Sequence, residues 1–458
     1  MAGQEGSLPL SGRFGHPVVK DGCGVFGVLR KPHSPAISNL VAVEGVSCIK
    51  YRGSDLGAGY AAFDAPRGDG EDRRFRIQAF VAAEETAREV RQALEHRLGY
   101  VEEEAFKKPA GPSGSGRLSV WEASLRLGAD GNAALLEKTV DRINQSLLGD
   151  GFRGRIFSYG NYLRLYKGVG FPLEVAKARG LDGNAVEADL WLAHTRQPTN
   201  SPGTLPIWSH PFASMNAAIV HNGDISSYGA NMELLGSWGL TSHVGTDSEV
   251  IARLLDHLVR AEGLTVEEAA TVLTNPLEQD ATKEVRDLLW RYRGARLDGP
   301  FAVVGGYADS EDLYLIALSD RSKFRPLLIG EDDGYFYVAS EENQIRNRSP
   351  DARVWTPEPG SFFIASLKRG IIAAGRERSL ETQTLALGTL RPRPSSHESY
   401  RPVDARGLGF REINEAIVDS FRTGEGGVTV RNCACAMSPT CWQRLFRPRL
   451  TICVSCAI

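Results

Sequence analysis

Apolar and polar positions along the chain change their pattern sharply at residue 23. Residues 1–22 carry Gly, Pro and Ser without periodicity and read as an extended leader that could be removed. Residues 23–29 (CGVFGVL) form a short apolar run of the kind that makes a buried strand. A mostly apolar helix is expected over 36–50 and a second strand over 57–63, joined by the polar turn Tyr51-Arg52-Gly53-Ser54-Asp55. Helical spacing returns at 82–97 and 133–148, with 107–116 (KKPAGPSGSG) between them as a flexible connection. Residues 82–188 are therefore expected to be largely an insertion. Strand-like stretches follow at 155–158, 162–166, 190–194 and 217–221.

The sharpest helical signal starts near Thr246. Val250, Ile251, Leu254, Leu255, Leu258 and Val259 make one apolar stripe. Thr246-Asp247-Ser248-Glu249 before it fits a capping box, with Thr capping the third amide and Glu reaching back. Beyond residue 300, FAVVGGY, LYLIAL, PLLIG, YFYVAS and FFIAS alternate with turn residues and predict hairpins of an antiparallel sheet. Strands and helices alternate too irregularly for repeated βαβ units, so the class is α+β. A Pro/Ser/Arg-rich stretch, 386–403, reads as a linker.

Composition narrows the picture. A chain of 458 residues is too long for one ordinary core, and 42% apolar, 24% charged residues and a formal charge of -3 suit a soluble enzyme. That balance gives no reason to expect nucleic acid or a membrane as partner. No stretch of 18 or more apolar residues occurs and residues 1–22 lack the make-up of a secretion signal, so a cytoplasmic protein is expected. Of the 7 cysteines, only Cys23 and Cys48 precede residue 433, too few for a disulfide framework. The histidines show no metal-ligand spacing, so no metal is expected. Residues 57–62 (GAGYAA) mimic a dinucleotide fingerprint, but no strand precedes them and no helix clearly follows.

Four local patterns carry candidate chemistry: Cys23-Gly24-Val25-Phe26-Gly27, His194-Thr195-Arg196-Gln197-Pro198-Thr199-Asn200, Val220-His221-Asn222-Gly223 and Thr246-Asp247-Ser248-Glu249. Each has an ordinary structural reading: an inert core cysteine, a solvated arginine, a hairpin turn, a helix-terminal charge. Together and in this order they resemble the class II glutamine amidotransferases, which are N-terminal-nucleophile hydrolases. LDGPFAVVGG, SDRSKFRPLLIG and VASEENQ extend the resemblance, so that it covers roughly residues 23–374. It implies a four-layer αββα sandwich with two antiparallel sheets, spanning 23–385.

The chemistry fits those residue types. If the chain is cut after Gly22, the free α-amine of Cys23, with a reference pKa of about 8, can take the proton of its own thiol. The planar fork of Arg196 can hold an α-carboxylate bidentately, and the resemblance adds Thr199 beside it. Asn222 and Gly223 can supply side-chain and backbone N–H groups to an oxyanion, worth roughly 3 kcal/mol per donor. The resemblance assigns Asp247 to the substrate α-ammonium, and gives Arg52 and Gly53 a part in shaping the nucleophile pocket. The expected substrate is L-glutamine, and no cofactor is expected on this chain.

The wide spacing from Cys23 to Arg196, with phrases such as RKPHSPAISNL, HTRQPTNSPGTLPIWSHPF and HNGDISSYGAN, is similar to the amidotransferase subunit of archaeal-type glutamate synthase. That resemblance implies a flavin-containing partner, with FMN and iron-sulfur centres, on which ammonia meets 2-oxoglutarate. Amidotransferases serving another acceptor, and a non-catalytic regulatory subunit with an unprocessed N-terminus, remain the alternatives. Residues 404–432 are similar to the start of the glutamate synthase carboxy-terminal module, truncated here. From Cys433 to the end the chain has no acidic residue and no glycine, and Cys433, Cys435, Cys441, Cys453 and Cys456 crowd together. A zinc site is one reading of this aberrant tail and a frameshift or truncation the other.

Overall fold

The computed structural model describes residues 22–66, 73–107, 118–149, 151–183, 186–198, 203–274, 281–374, 377–378, 401–404 and 428–431. The chain divides into two compact units, 1–378 and 379–458. In the second, the strands Arg401–Asp404 and Val428–Arg431 pair in parallel. The cysteine-rich tail and most of the expected linker and truncated module lie outside the described residues.

The first unit is built on two sheets. One has eight strands, in the order Glu377–Arg378, Arg353–Pro357, Leu328–Glu331, Tyr335–Ala339, Gly24–Arg30, Leu190–Thr195, Ala58–Phe63 and Leu163–Gly168. The other has six, in the order Phe212–Ser214, Ala217–Gly223, Phe301–Ala308, Leu313–Ser319, Phe362–Ser366 and Gly370–Ala373. Every neighbouring pair in both is antiparallel.

Strand periodicity explains the layering. Val25 and Leu29 point into a core shared with Val220, Val304 and Leu315 of the facing sheet. Phe26 and Val28 point the other way, against Ala42, Val43 and Val46 of the helix Asn39–Ser47. The second sheet repeats this, with Ile219 and Val303 packed on Val250, Leu254 and Leu258 of the helix Asp247–Arg260. Both faces of each sheet are therefore covered, which is why CGVFGVL is a continuous apolar run. The result is the four-layer αββα sandwich with two antiparallel sheets that the sequence led us to expect.

Two expectations change. The strands after residue 300 do not share one sheet: Phe301–Ala308 and Leu313–Ser319 join the six-stranded sheet, whereas Leu328–Glu331 and Tyr335–Ala339 flank Gly24–Arg30 in the other. The segment 82–188 also divides in two. A separate four-stranded antiparallel sheet, in the order Gly99–Lys107, Ser119–Leu127, Arg74–Val81 and Gly154–Gly160, packs on the helices Glu84–Glu95 and Ala133–Gly149. From Leu163 onward the chain rejoins the main sheet. This inserted lobe thus runs from Arg74 to Gly160 and contains three strands that the apolar pattern did not announce. Among the described residues no helix is long and apolar enough to cross a membrane.

Candidate active site

Sheet register brings the first two candidate residues together. Gly24 lies opposite Thr195 in the paired strands, so Cys23 and Arg196, one position beyond each, meet at the same sheet end. Gln197 N donates to Cys23 Sγ at 3.3 Å, and Sγ lies 3.6 Å from Gln197 O. Asn222 and Gly223 end the strand Ala217–Gly223 of the facing sheet, and Asp247 opens the helix Asp247–Arg260. Cys23, Arg196, Asn222, Gly223 and Asp247 all line one narrow cleft, partly open to solvent. Thr199 lies outside the described residues.

The backbone around the nucleophile candidate is held from several sides. Arg52 Nε donates to Cys23 O at 3.3 Å while its Nη1 pairs with Glu341 at 2.9 Å. A side chain on Gly53 would place a carbon 2.3 Å from Thr195 Oγ1 and 3.0 Å from Arg196 N, so only glycine lets this turn pass so close. Ser340 Oγ accepts from Val25 N at 2.9 Å, and Gln344 Nε2 donates to Val25 O at 3.2 Å and Gly45 O at 2.8 Å. Arg196 Nη1 donates to Leu56 O at 3.1 Å.

Asn222 and Gly223 do not form a two-residue hairpin. Their strand pairs with Phe301–Ala308, far along the chain, with Gly223 opposite Phe301. Gly223 has φ +142°, and a Cβ there would lie 2.0 Å from Pro300 O. Asn222 is 1% exposed, and its Nδ2 is buried without a hydrogen-bond partner among the described residues. A buried N–H left unpaired costs about 1–3 kcal/mol, so an acceptor entering the cleft would be favoured here.

Asp247 is placed by its neighbours. Its Oδ2 accepts from Ile225 N at 3.1 Å, and its Oδ1 from Ser248 N at 2.8 Å and Ser248 Oγ at 3.3 Å. The cap beside it is only half of the expected box. Thr246 Oγ1 accepts from Glu249 N at 3.3 Å, but the Glu249 carboxylate accepts instead from Val244 N at 2.9 Å and Ser242 Oγ at 2.6 Å, and pairs with Arg155. In the cleft wall, His210 Nε2 and His221 Nδ1 lie 2.9 and 3.1 Å from Ser248 Oγ, and His194 Nε2 donates to His221 O at 3.0 Å.

Electrostatics sets the thiol's state. Burial pushes the Cys23 thiol up to about 11, with the Gln197 amide and the charges of Arg196 and Arg325 opposing it. Linked to Gly22 in this way, Cys23 is a proton-bearing thiol at neutral pH. Burial also lowers Arg196, and the neighbouring Cys23 counteracts that. Sequence reasoning missed Arg325, which lines the same cleft with a buried Nε that has no hydrogen-bond partner among the described residues. The phrase SDRSKFRPLLIG contained it, but nothing in its pattern pointed to the cleft. Ser340 and Gln344 in VASEENQ were likewise quoted without a role. Among the described residues no group of three or more His, Cys, Asp or Glu could hold a metal ion.

No family model matches the chain. An uncharacterised protein of Archaeoglobus fulgidus is 29% identical over 378 residues, 79% of this chain and 95% of the other. The glutamine amidotransferase-like protein GlxB of Rhizobium meliloti is 28% identical over 214 residues, 46% of this chain and 62% of GlxB. Among solved structures, the allosteric regulatory enzyme of purine biosynthesis aligns with 78% of this chain and 49% of its own, at 18% identity and a TM-score of 0.41. In sequence the chain is thus similar to a glutamine amidotransferase-like protein over nearly half of its length, and it is built on two stacked antiparallel sheets.

Proposed function

We propose that the protein hydrolyses the side-chain amide of L-glutamine at Cys23 and passes the ammonia to a synthase partner. The observation that carries this reading is the Asn222 Nδ2, without a partner among the described residues and buried in the same cleft as Cys23, Arg196 and Asp247. In this mechanism Arg196, with Thr199, grips the α-carboxylate and Asp247 the α-ammonium. The chain is first cut between Gly22 and Cys23, and the liberated amine takes the thiol proton. The thiolate attacks the amide carbon, and the oxyanion is met by Asn222 Nδ2–H and Gly223 N–H. The amine returns the proton to the departing nitrogen, which leaves as ammonia. Water then attacks the γ-glutamyl thioester, giving glutamate and the free thiol. Arg52 and Gly53 keep the nucleophile's backbone in place.

The acceptor we propose is 2-oxoglutarate on a flavin- and iron-sulfur-containing glutamate synthase-type subunit. The wide Cys23-to-Arg196 spacing and the phrases around His194 and His221 support it. The test combines intact mass with glutaminase assays of wild type and Cys23→Ala. Glutamine turnover by the chain starting at Cys23, lost in Cys23→Ala, is expected; equal turnover by the two forms rejects Cys23. Retention of residues 1–22 in an inactive protein would instead favour the regulatory subunit, since a thiol near pKa 11 is no nucleophile at neutral pH. Co-purification with a synthase, and ammonia-dependent formation of glutamate by the pair, tests the acceptor.

A further inference from the structure

The inserted lobe makes two buried ionic clamps on the element that presents Asp247. Arg155, on the lobe strand Gly154–Gly160, is 4% exposed and its Nη2 pairs with Glu249, which is 1% exposed. Arg155 Nε and Nη1 are buried without hydrogen-bond partners among the described residues, so Glu249 is the anion that holds this guanidinium. The same carboxylate accepts from Val244 N and Ser242 Oγ, in the loop that leads into Thr246 and Asp247. The second clamp is Asp141, on the lobe helix Ala133–Gly149. It pairs with Arg253 at 2.8 Å, one turn beyond Glu249, and with His243 of the same loop at 3.1 Å.

Both clamps bridge the lobe to the loop 242–246 and to the first turns of the helix Asp247–Arg260. Among the described residues the Asp247 carboxylate pairs with no lysine or arginine, and the nearest titratable group to it is His221 Nδ1 at 3.8 Å, whose charging burial disfavours. Its direction is set by Ser248 N and Ile225 N, hence by where the helix start sits. Asp141 and Arg155 fix that position from outside the αββα core. Unpairing Glu249 from Arg155 would leave this buried carboxylate only the longer contact to Arg253 Nε at 3.9 Å, and the loop it ties down would shift to rehydrate it.

We propose that the inserted lobe sets glutamine affinity, with Arg155 acting through Glu249 and Asp141 through Arg253 and His243 as positioning residues for Asp247. The inference rests on the reading of Asp247 as the site of the substrate α-ammonium. Its signature is selective, because only ligands with an α-ammonium should feel the lobe.

The test uses two reagents that attack the same sulfur in the processed protein. The glutamine analogue 6-diazo-5-oxo-L-norleucine carries the α-ammonium and α-carboxylate; iodoacetamide carries neither. In Arg155→Met, the KM for glutamine should rise about tenfold with kcat within about twofold. Inactivation by the norleucine should slow in proportion, while alkylation by iodoacetamide keeps its wild-type rate. Arg155→Lys should restore most of the affinity. If Arg155→Met fails to fold, Asp141→Asn, which leaves the Arg155 pair in place, carries the same expectation. Equal slowing of both reagents, or no change in either with KM unaltered, overturns the inference. A wild-type protein that neither turns over glutamine nor reacts selectively with the norleucine overturns the reading of the site itself.

Discussion

At the scale of single residues, Asn222 is the side chain with the most to lose and gain. Its Nδ2–H has no partner among the described residues, so removing it costs the fold little and the transition state much. Asn222→Ala should lower kcat for glutamine hydrolysis by about 10²–10³ with KM little changed, as measured in steady-state assays. A drop in stability with kcat intact would mean that the amide is structural. The thiol offers a second measurement. In the chain that retains Gly22, burial holds Cys23 up at about 11, so its alkylation rate should climb with pH toward that value. Once the amine is free beside it, reaction at neutral pH should be fast. Identical pH profiles for the two forms would separate the amine from the thiol's activation. Cys23, Arg196, Asn222 and Asp247 were legible because short motifs name them in order. Arg325 was not, since an arginine before Pro-Leu reads as a surface charge until the cleft is seen around it.

Elements were legible in proportion to how completely one face is apolar. The helix Asp247–Arg260 has a full apolar stripe and starts one residue beyond the expected cap, with Thr246 Oγ1 on Glu249 N. Thr246→Ala should destabilise the protein by about 1 kcal/mol in urea unfolding, and by less if Glu249 alone holds the turn. The lobe strand Gly99–Lys107 went unread because it is GYVEEEAFK, an edge strand on which only Val101 is buried. Three adjacent glutamates hide its alternation, and their role appears only in pairs such as Glu104 with Arg91. The apolar stretch 36–50 was read as one helix. Ser38 instead caps it by accepting from Leu40 N, and Ile37–Ser38 pairs with Glu187–Ala188 before the helix begins. The back half of the capping box failed for a long-range reason: Arg155, supplied by the lobe, draws Glu249 away from the cap.

For the whole molecule, the buried histidines link stability to pH. Burial holds His194 down to about 3, keeps His210 well below its usual value and lowers His221. Below their ordinary value of 6.5 the unfolded chain takes up protons that the fold refuses. Stability is therefore full above about pH 6.5 and falls as the pH drops, by up to about 1.4 kcal/mol per pH unit each for His194 and His210, with His221 adding in the same direction. Urea midpoints at pH 7.5, 6 and 5 should decline accordingly, and His194→Gln should flatten the slope by one histidine's share. Midpoints independent of pH would refute the neutral cluster. The strand headed by Cys23 has a further consequence. It has paired neighbours on both edges and a packed layer on each face, so it cannot fray separately from the rest. Catalysis and shape should then vanish in one cooperative event: glutaminase activity and far-ultraviolet dichroism share a single denaturation curve, and deuterium enters the amides of Val25 and Leu29 only when the entire sandwich opens.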